Sequence, residues 1–201
     1  MARLGRRALS ARARLGLERD FSLLWAGQTV SVFGTLIGGF AVALVAVVVL
    51  GATPSDLALL RVAGLVPVVV TGAFVGALVD RTSRRTTMIL ADLGRFAVLL
   101  AVPALTALGQ LSILWLAVIV ALTGVLGLFF DVAYRAYLPS IVDRSRITTA
   151  NARLETTNSA AEVAGFGLAG ILVQAVTAPI AILVDSVSFL VCADRGGHPP
   201  P

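Results

Sequence analysis

Few side chains in this 201-residue chain can do chemistry, and their types are lopsided. The one His, His198, lies in the terminal tail, so an imidazole base within a membrane has no candidate. The one Cys, Cys192, excludes an internal disulfide and any CxxC metal site. All 16 basic residues are Arg. Without Lys no P-loop can reach a nucleotide phosphate, so the chain carries no ATPase. Neither a metal centre nor a cofactor is expected. What remains is placed charge. The stretch GALVDRTSRR sets Asp80 beside Arg81, Arg84 and Arg85 in a turn preceded by Gly76 and Leu78. Asp92 and Arg95 are three apart, and Asp131 and Arg135 four apart. Such spacings make neighbours on one helix face.

Charge within lipid costs several kcal/mol unless it is paired, hydrated or able to reach the interface. These groups lie at similar depth, so one network joining Asp80, Arg81, Arg84, Asp92 and Asp131 is expected. The alternative is a set of local pairs that neutralise themselves. Asp185 differs, falling ~10 Å along its helix with no Arg one turn away. It reads either as a protonatable or substrate-facing group or as a hydrogen-bonded packing residue. Gln28, Ser31 and Thr35 form one polar stripe, which suits a hydrated cavity or interhelical hydrogen bonds. In AEVAGFGLAG, Ala161, Gly165 and Ala169 make a small face, with Gly167 and Gly170 beside it, suited to close helix packing.

The elements that must position these residues are membrane helices. Only 13% of residues are charged and 58% are hydrophobic, about half the charge of a soluble domain. Six apolar stretches are read, at about 23–47, 57–79, 87–108, 111–134 and 158–176, with the last starting near Pro179. They predict an all-α polytopic membrane protein. An arm at 1–20, a six-helix bundle at 21–193 and an irregular tail at 194–201 are the expected divisions. Six Arg precede the first span, three occupy the second–third loop, and Arg135, Arg144, Arg146 and Arg153 flank or occupy the fourth–fifth connection. The other loops hold none. This alternation predicts cytoplasmic termini in the cell membrane. It also argues against a nucleic-acid partner, which would need the basic residues on one folded face. The Arg-rich arm suits contact with anionic lipid.

On these residues the chain resembles the major facilitator superfamily, whose second–third loop reads roughly G-x-L-a-D-[RK]-x-G-[RK]-[RK]. Gly76, Leu78, Asp80, Arg81, Arg84 and Arg85 match, while Ser83 stands where that pattern has its second Gly. ERDFSLLWAGQTVSVFG, FFDVAYRAYLPSIVDRSRITTANARLETT and the Gly-rich fifth helix look like the macrolide-efflux and enterobactin-exporter branch. The resemblance covers most of residues 18–190, as the N-terminal half of a twelve-helix transporter. It implies proton-coupled efflux of a small hydrophobic or amphipathic compound, with the loop motif gating the cytoplasmic side. By that resemblance Asp80 engages a helix of the other half. Two departures leave coupling ion and direction open. VIVALTGVLG lacks the family's fourth-helix Arg, and Phe166 stands where the fifth-helix motif has Pro.

Between Ile180 and Cys192 lie too few residues to reach the ~17 that a span needs. A truncated or frameshifted product is therefore expected, with a foreign tail from about Asp194. The partners expected are the bilayer, an unspecified small molecule, and either a second copy or a missing C-terminal half. An intramembrane enzyme is not expected, because GxSG with a membrane His and DGxxAR are both absent. The connections are also too short for the membrane part of an ATP-driven exporter.

Overall fold

The computed structural model describes residues 25–26, 29, 32–33, 35–36, 38–141, 148, 152 and 154–164. Among these the chain is helical, apart from three short turns. Helix α1 (Gly38–Val49) is followed by α2 (Pro54–Asp80), α3 (Arg84–Ala107) and α4 (Ile113–Ile141). Residues 154–164 form a further helical stretch, α5. Three helices, α2, α3 and α4, are long and apolar enough to cross a membrane, with mean hydropathies of 2.3, 1.9 and 2.6. They are the second, third and fourth of the six expected spans. The sixth lies outside the described residues.

Local chemistry sets the boundaries. Thr53 caps α2, accepting from the Asp56 backbone while Asp56 accepts from the Thr53 N–H at 2.8 Å. Pro54 fills the first helical position, where a missing N–H costs nothing. This reciprocal cap starts α2 three residues before the expected Leu57. The turns after α1 and α3 each use a left-handed glycine, Gly51 (φ 64°) and Gly109 (φ 65°). Only glycine adopts that conformation without strain. The last turn of α1, Val45–Val49, widens into a π-helix, closed by Leu50 N–H to the Val45 carbonyl at 3.3 Å. At the far end α4 continues to Ile141, beyond the expected Tyr134, and carries Arg135 within the helix. Leu154 is already helical, four residues before the expected start of the fifth helix.

Helix α4 packs against both α2 and α3, which barely meet each other. Glycines permit the approach to α2. A Cβ on Gly64 would lie 3.0 Å from Val120, and one on Gly124 would lie 3.1 Å from the Gly64 carbonyl oxygen. In lipid, close backbone approach of this kind replaces the hydrophobic drive as the source of helix association. Two buried clusters bracket the contact. One joins Ala41 and Val45 of α1 to Leu60, Leu99, Val102 and Leu116. The other, at the end carrying the α2–α3 turn, joins Val75, Val79, Met88, Phe130 and Tyr134, with Leu154 of α5 against it. Phe130 and Tyr134 stack there at 5.9 Å. Trp25 Nε1–H donates to Thr157 Oγ1 at 3.1 Å, linking the first span to α5.

Candidate functional site

The charged turn joins two membrane-length helices through three residues, Arg81–Ser83. Its shape comes from hydroxyls. Thr82 Oγ1 lies 3.3 Å from the Leu78 carbonyl, 3.2 Å from the Val79 carbonyl and 2.9 Å from Thr87 Oγ1. Thr87 in turn donates to the Ser83 carbonyl at 3.1 Å. The Leu78 and Val79 carbonyls at the end of α2 accept from the Arg81 and Thr82 N–H groups at 3.2 Å each, and the Thr82 hydroxyl packs against both. Ser83 adopts φ −66°, ψ 117°, an ordinary extended conformation. The turn therefore needs no glycine at the position where the superfamily pattern carries one.

Arg84 connects this turn to α4. Its Nη1 donates to the Ala136 backbone carbonyl at 2.7 Å. Pro139 has no N–H, so the Arg135 carbonyl lacks the usual helical donor. The last turns of α4 are thus short of donors, and the adjacent carbonyl takes a charged one from outside. A cation at a helix C-terminus also suits the helix dipole. Asp80, Arg81 and Arg84 are exposed and Arg85 is partly buried. Gly76 does not pack closely among the described residues, since a Cβ there would meet nothing within 4 Å. Leu78 is also exposed.

The second pair of acids and bases lies deeper. Asp92 is 1% exposed on α3. Arg95, one turn on, lays its guanidinium against Gly127 of α4, where a Cβ would overlap it. Arg95 and Arg135 both act electrostatically on Asp131. Gly127 and Asp131 are one turn apart, so Arg95 crosses from α3 to meet one face of α4. Asp131 and Arg135 are exposed on α4, and Asp131 feels the positive charge of Arg95 across the helix pair as well as that of Arg135 on its own helix. The glycine at 127 makes room for Arg95. Together these residues could hold two helices in register, and could release them if a proton or another charge displaced one member.

Other expected residues are less informative. Thr35 is exposed and Ala161 fully buried. Gln28, Ser31, Asp185, Gly165, Gly167, Ala169 and Gly170 lie outside the described residues. Sequence reasoning missed Thr82 and the Gly64–Gly124 crossing. A Thr immediately after a helix-ending Asp-Arg was an available turn signal. The glycine pair was not legible, since one glycine of each kind falls on two separate helices.

The family described as transmembrane secretion effector (MFS_3) matches residues 13–193. An uncharacterized MFS-type transporter of Bacillus subtilis (strain 168), YfiS, is 26% identical over 176 residues. That alignment covers 88% of this chain and 41% of the relative, so the chain spans well under half of that relative's length. No solved structure matches the chain. With membrane-length apolar helices, a loop motif closed between two of them and a match over nearly its whole length, the chain belongs to the MFS_3 family of major facilitator transporters.

Proposed function

We propose that the chain is the N-terminal six-helix body of a secondary-active exporter in the cell membrane. It handles a small hydrophobic or amphipathic compound, with both termini and the Asp80–Arg85 turn in the cytoplasm. One observation carries this reading. The turn that matches the superfamily's gating motif is tied to the end of α4 through Arg84 and Ala136. A motif so anchored can report on helix position, which a merely solvated loop cannot. Substrate would lie between this body and a second one, as in transporters built from repeats. The apolar composition of the helices supports a hydrophobic or amphipathic cargo.

The second body is either a C-terminal half or another copy of this chain, and proteoliposomes separate the two. The chain alone, under an imposed proton gradient, is expected to move no hydrophobic dye. Joined to the C-terminal body of the Bacillus subtilis relative, it is expected to move dye against its gradient. Movement by the chain alone, with a cross-linked dimer present, would establish the self-paired form. If an inserted, folded chimera moves no dye under either gradient polarity, the exporter reading is wrong.

A further inference from the structure

We propose that the groove between α2 and α4 beside Arg81 binds one anionic phospholipid from the leaflet that meets the α2–α3 turn. The groove, about 370 Å³, is lined by Thr71, Phe74, Ala77 and Leu78 of α2, by Arg81 just after that helix and by Phe129 of α4. Thr71, Phe74, Leu78 and Arg81 follow the spacing of a single helical stripe. The stripe is separate from the face that carries Gly76 and Asp80. Leu78 lies two residues from each, which is over half a turn away at 3.6 residues per turn.

Three observations select the occupant. Phe74 is 74% exposed and Leu78 51% exposed on a membrane-length helix, so the stripe is open rather than covered by a described neighbour. The Thr71 hydroxyl is turned back onto its own helix, donating to the Pro67 carbonyl at 2.7 Å. That leaves the exposed Arg81 guanidinium as the polar group lining the groove that is open to a ligand. Its side chain makes no hydrogen bond or ion pair among the described residues. The stripe from Thr71 to Arg81 is ten residues long, or ~15 Å at the helical rise. One leaflet of a ~30 Å hydrocarbon core has that depth. An apolar track one leaflet deep, ending in a single cation, fits an acyl chain with an anionic phosphate above it. A zwitterionic headgroup also offers a phosphate, but its own ammonium offsets the attraction that a net anionic headgroup keeps, and a second protein helix would bury a charge. The site requires only that the chain is in a membrane and does not depend on transport.

The test uses the full chain in nanodiscs of phosphatidylcholine containing a small fraction of diazirine-acyl phosphatidylglycerol, or the same fraction of diazirine-acyl phosphatidylcholine. After illumination, cross-links are mapped by peptide mass spectrometry. Phosphatidylglycerol is expected to label Thr71–Leu78 and Phe129 about fivefold more than phosphatidylcholine, the worth of one basic residue against anionic lipid. Arg81→Gln should remove that preference with helix content unchanged. Arg61→Gln, at the other end of α2, should preserve it. Phe74→Trp keeps the charge but narrows the track, and should lower labelling there by both lipids; it serves as the second variant if Arg81→Gln fails to insert. Equal labelling by the two lipids in the unaltered chain would overturn the proposal. So would a preference that survives Arg81→Gln, or the absence of lipid label between Thr71 and Leu78 in the unaltered chain.

Discussion

Arg84 and Asp80 occupy the same short turn but face different tests. Arg84 holds a 2.7 Å charged hydrogen bond to the Ala136 carbonyl while remaining exposed. Hydrogen bonds to charged groups contribute ~1.5–3 kcal/mol, and solvent screening at an exposed site lowers that figure. Arg84→Ala is therefore expected to cost about 1 kcal/mol, read as a lower midpoint in detergent denaturation of the purified chain. Arg84→Lys should recover only part, because an ammonium lacks the guanidinium's fixed fork. Asp80 is exposed at the last position of α2, and its side chain makes no hydrogen bond or ion pair among the described residues. Asp80→Asn is expected to leave insertion and stability of this chain unchanged. In a transporter assembled with its second body the same change should abolish dye movement. A loss of insertion in the isolated chain would make Asp80 a structural residue and remove it from the gate. The charges of this turn were legible from residue types and order. Thr82, which builds it, was not singled out, because a lone Thr carries no signal until its hydroxyl is placed against two helix-end carbonyls.

At the scale of elements, the glycines divide into those that meet a neighbour and those that do not. Gly124 faces the Gly64 carbonyl and Val68, each 3.1 Å from where its Cβ would be. The Gly64 carbonyl is backbone and cannot rotate aside, so Gly124→Val must push α2 from α4. Overpacking of this kind costs ~1–3 kcal/mol and should appear as lower thermal stability with helix content retained. Gly94 differs, since its Cβ would meet the flexible Leu126 side chain at 3.0 Å, and Gly94→Ala should cost less. Gly76→Ala meets nothing in this chain. Within a helix the change gains ~0.8–1 kcal/mol of propensity, so the isolated chain should be no less stable. The same variant losing stability only when the second body is present would place Gly76 at the contact between bodies. The sequence located α2, α3 and α4 because length and hydropathy are carried by every residue of a span. It did not locate their crossing point, which depends on two glycines sixty positions apart meeting at one depth. Helix starts were displaced for a related reason: Thr53 and Asp56 are polar and Pro54 is a turn-former, so they read as loop until the reciprocal cap is recognised.

At the scale of the whole molecule, orientation is the property on which the gate, the exporter reading and the lipid leaflet converge. The alternation of Arg across the connections is what predicts cytoplasmic termini. Arg81 and Arg84 lie at one end of the pair α2–α3, and the α1–α2 and α3–α4 turns contain no Arg. The α2–α3 turn offers a direct test, because Ser83 is exposed and needs no special backbone geometry. In a Cys192→Ser background, Ser83→Cys should react with a membrane-impermeant maleimide in inside-out vesicles and stay unlabelled in intact cells. A second reporter, Ser55→Cys in the first turn of α2 beside the Arg-free α1–α2 connection, should show the opposite pattern, since Ser55 is exposed at the other end of that helix. The two reporters are separated by the length of α2, which at 27 residues spans ~40 Å. A helix of that length reaches across both headgroup regions, so the two sites cannot share one aqueous side unless α2 fails to cross. Labelling of both from the same side would therefore refute the crossing itself. Labelling from opposite sides in the reverse sense would keep the fold and overturn the proposed orientation, moving the Asp80–Arg85 turn to the outside and the phospholipid groove to the outer leaflet.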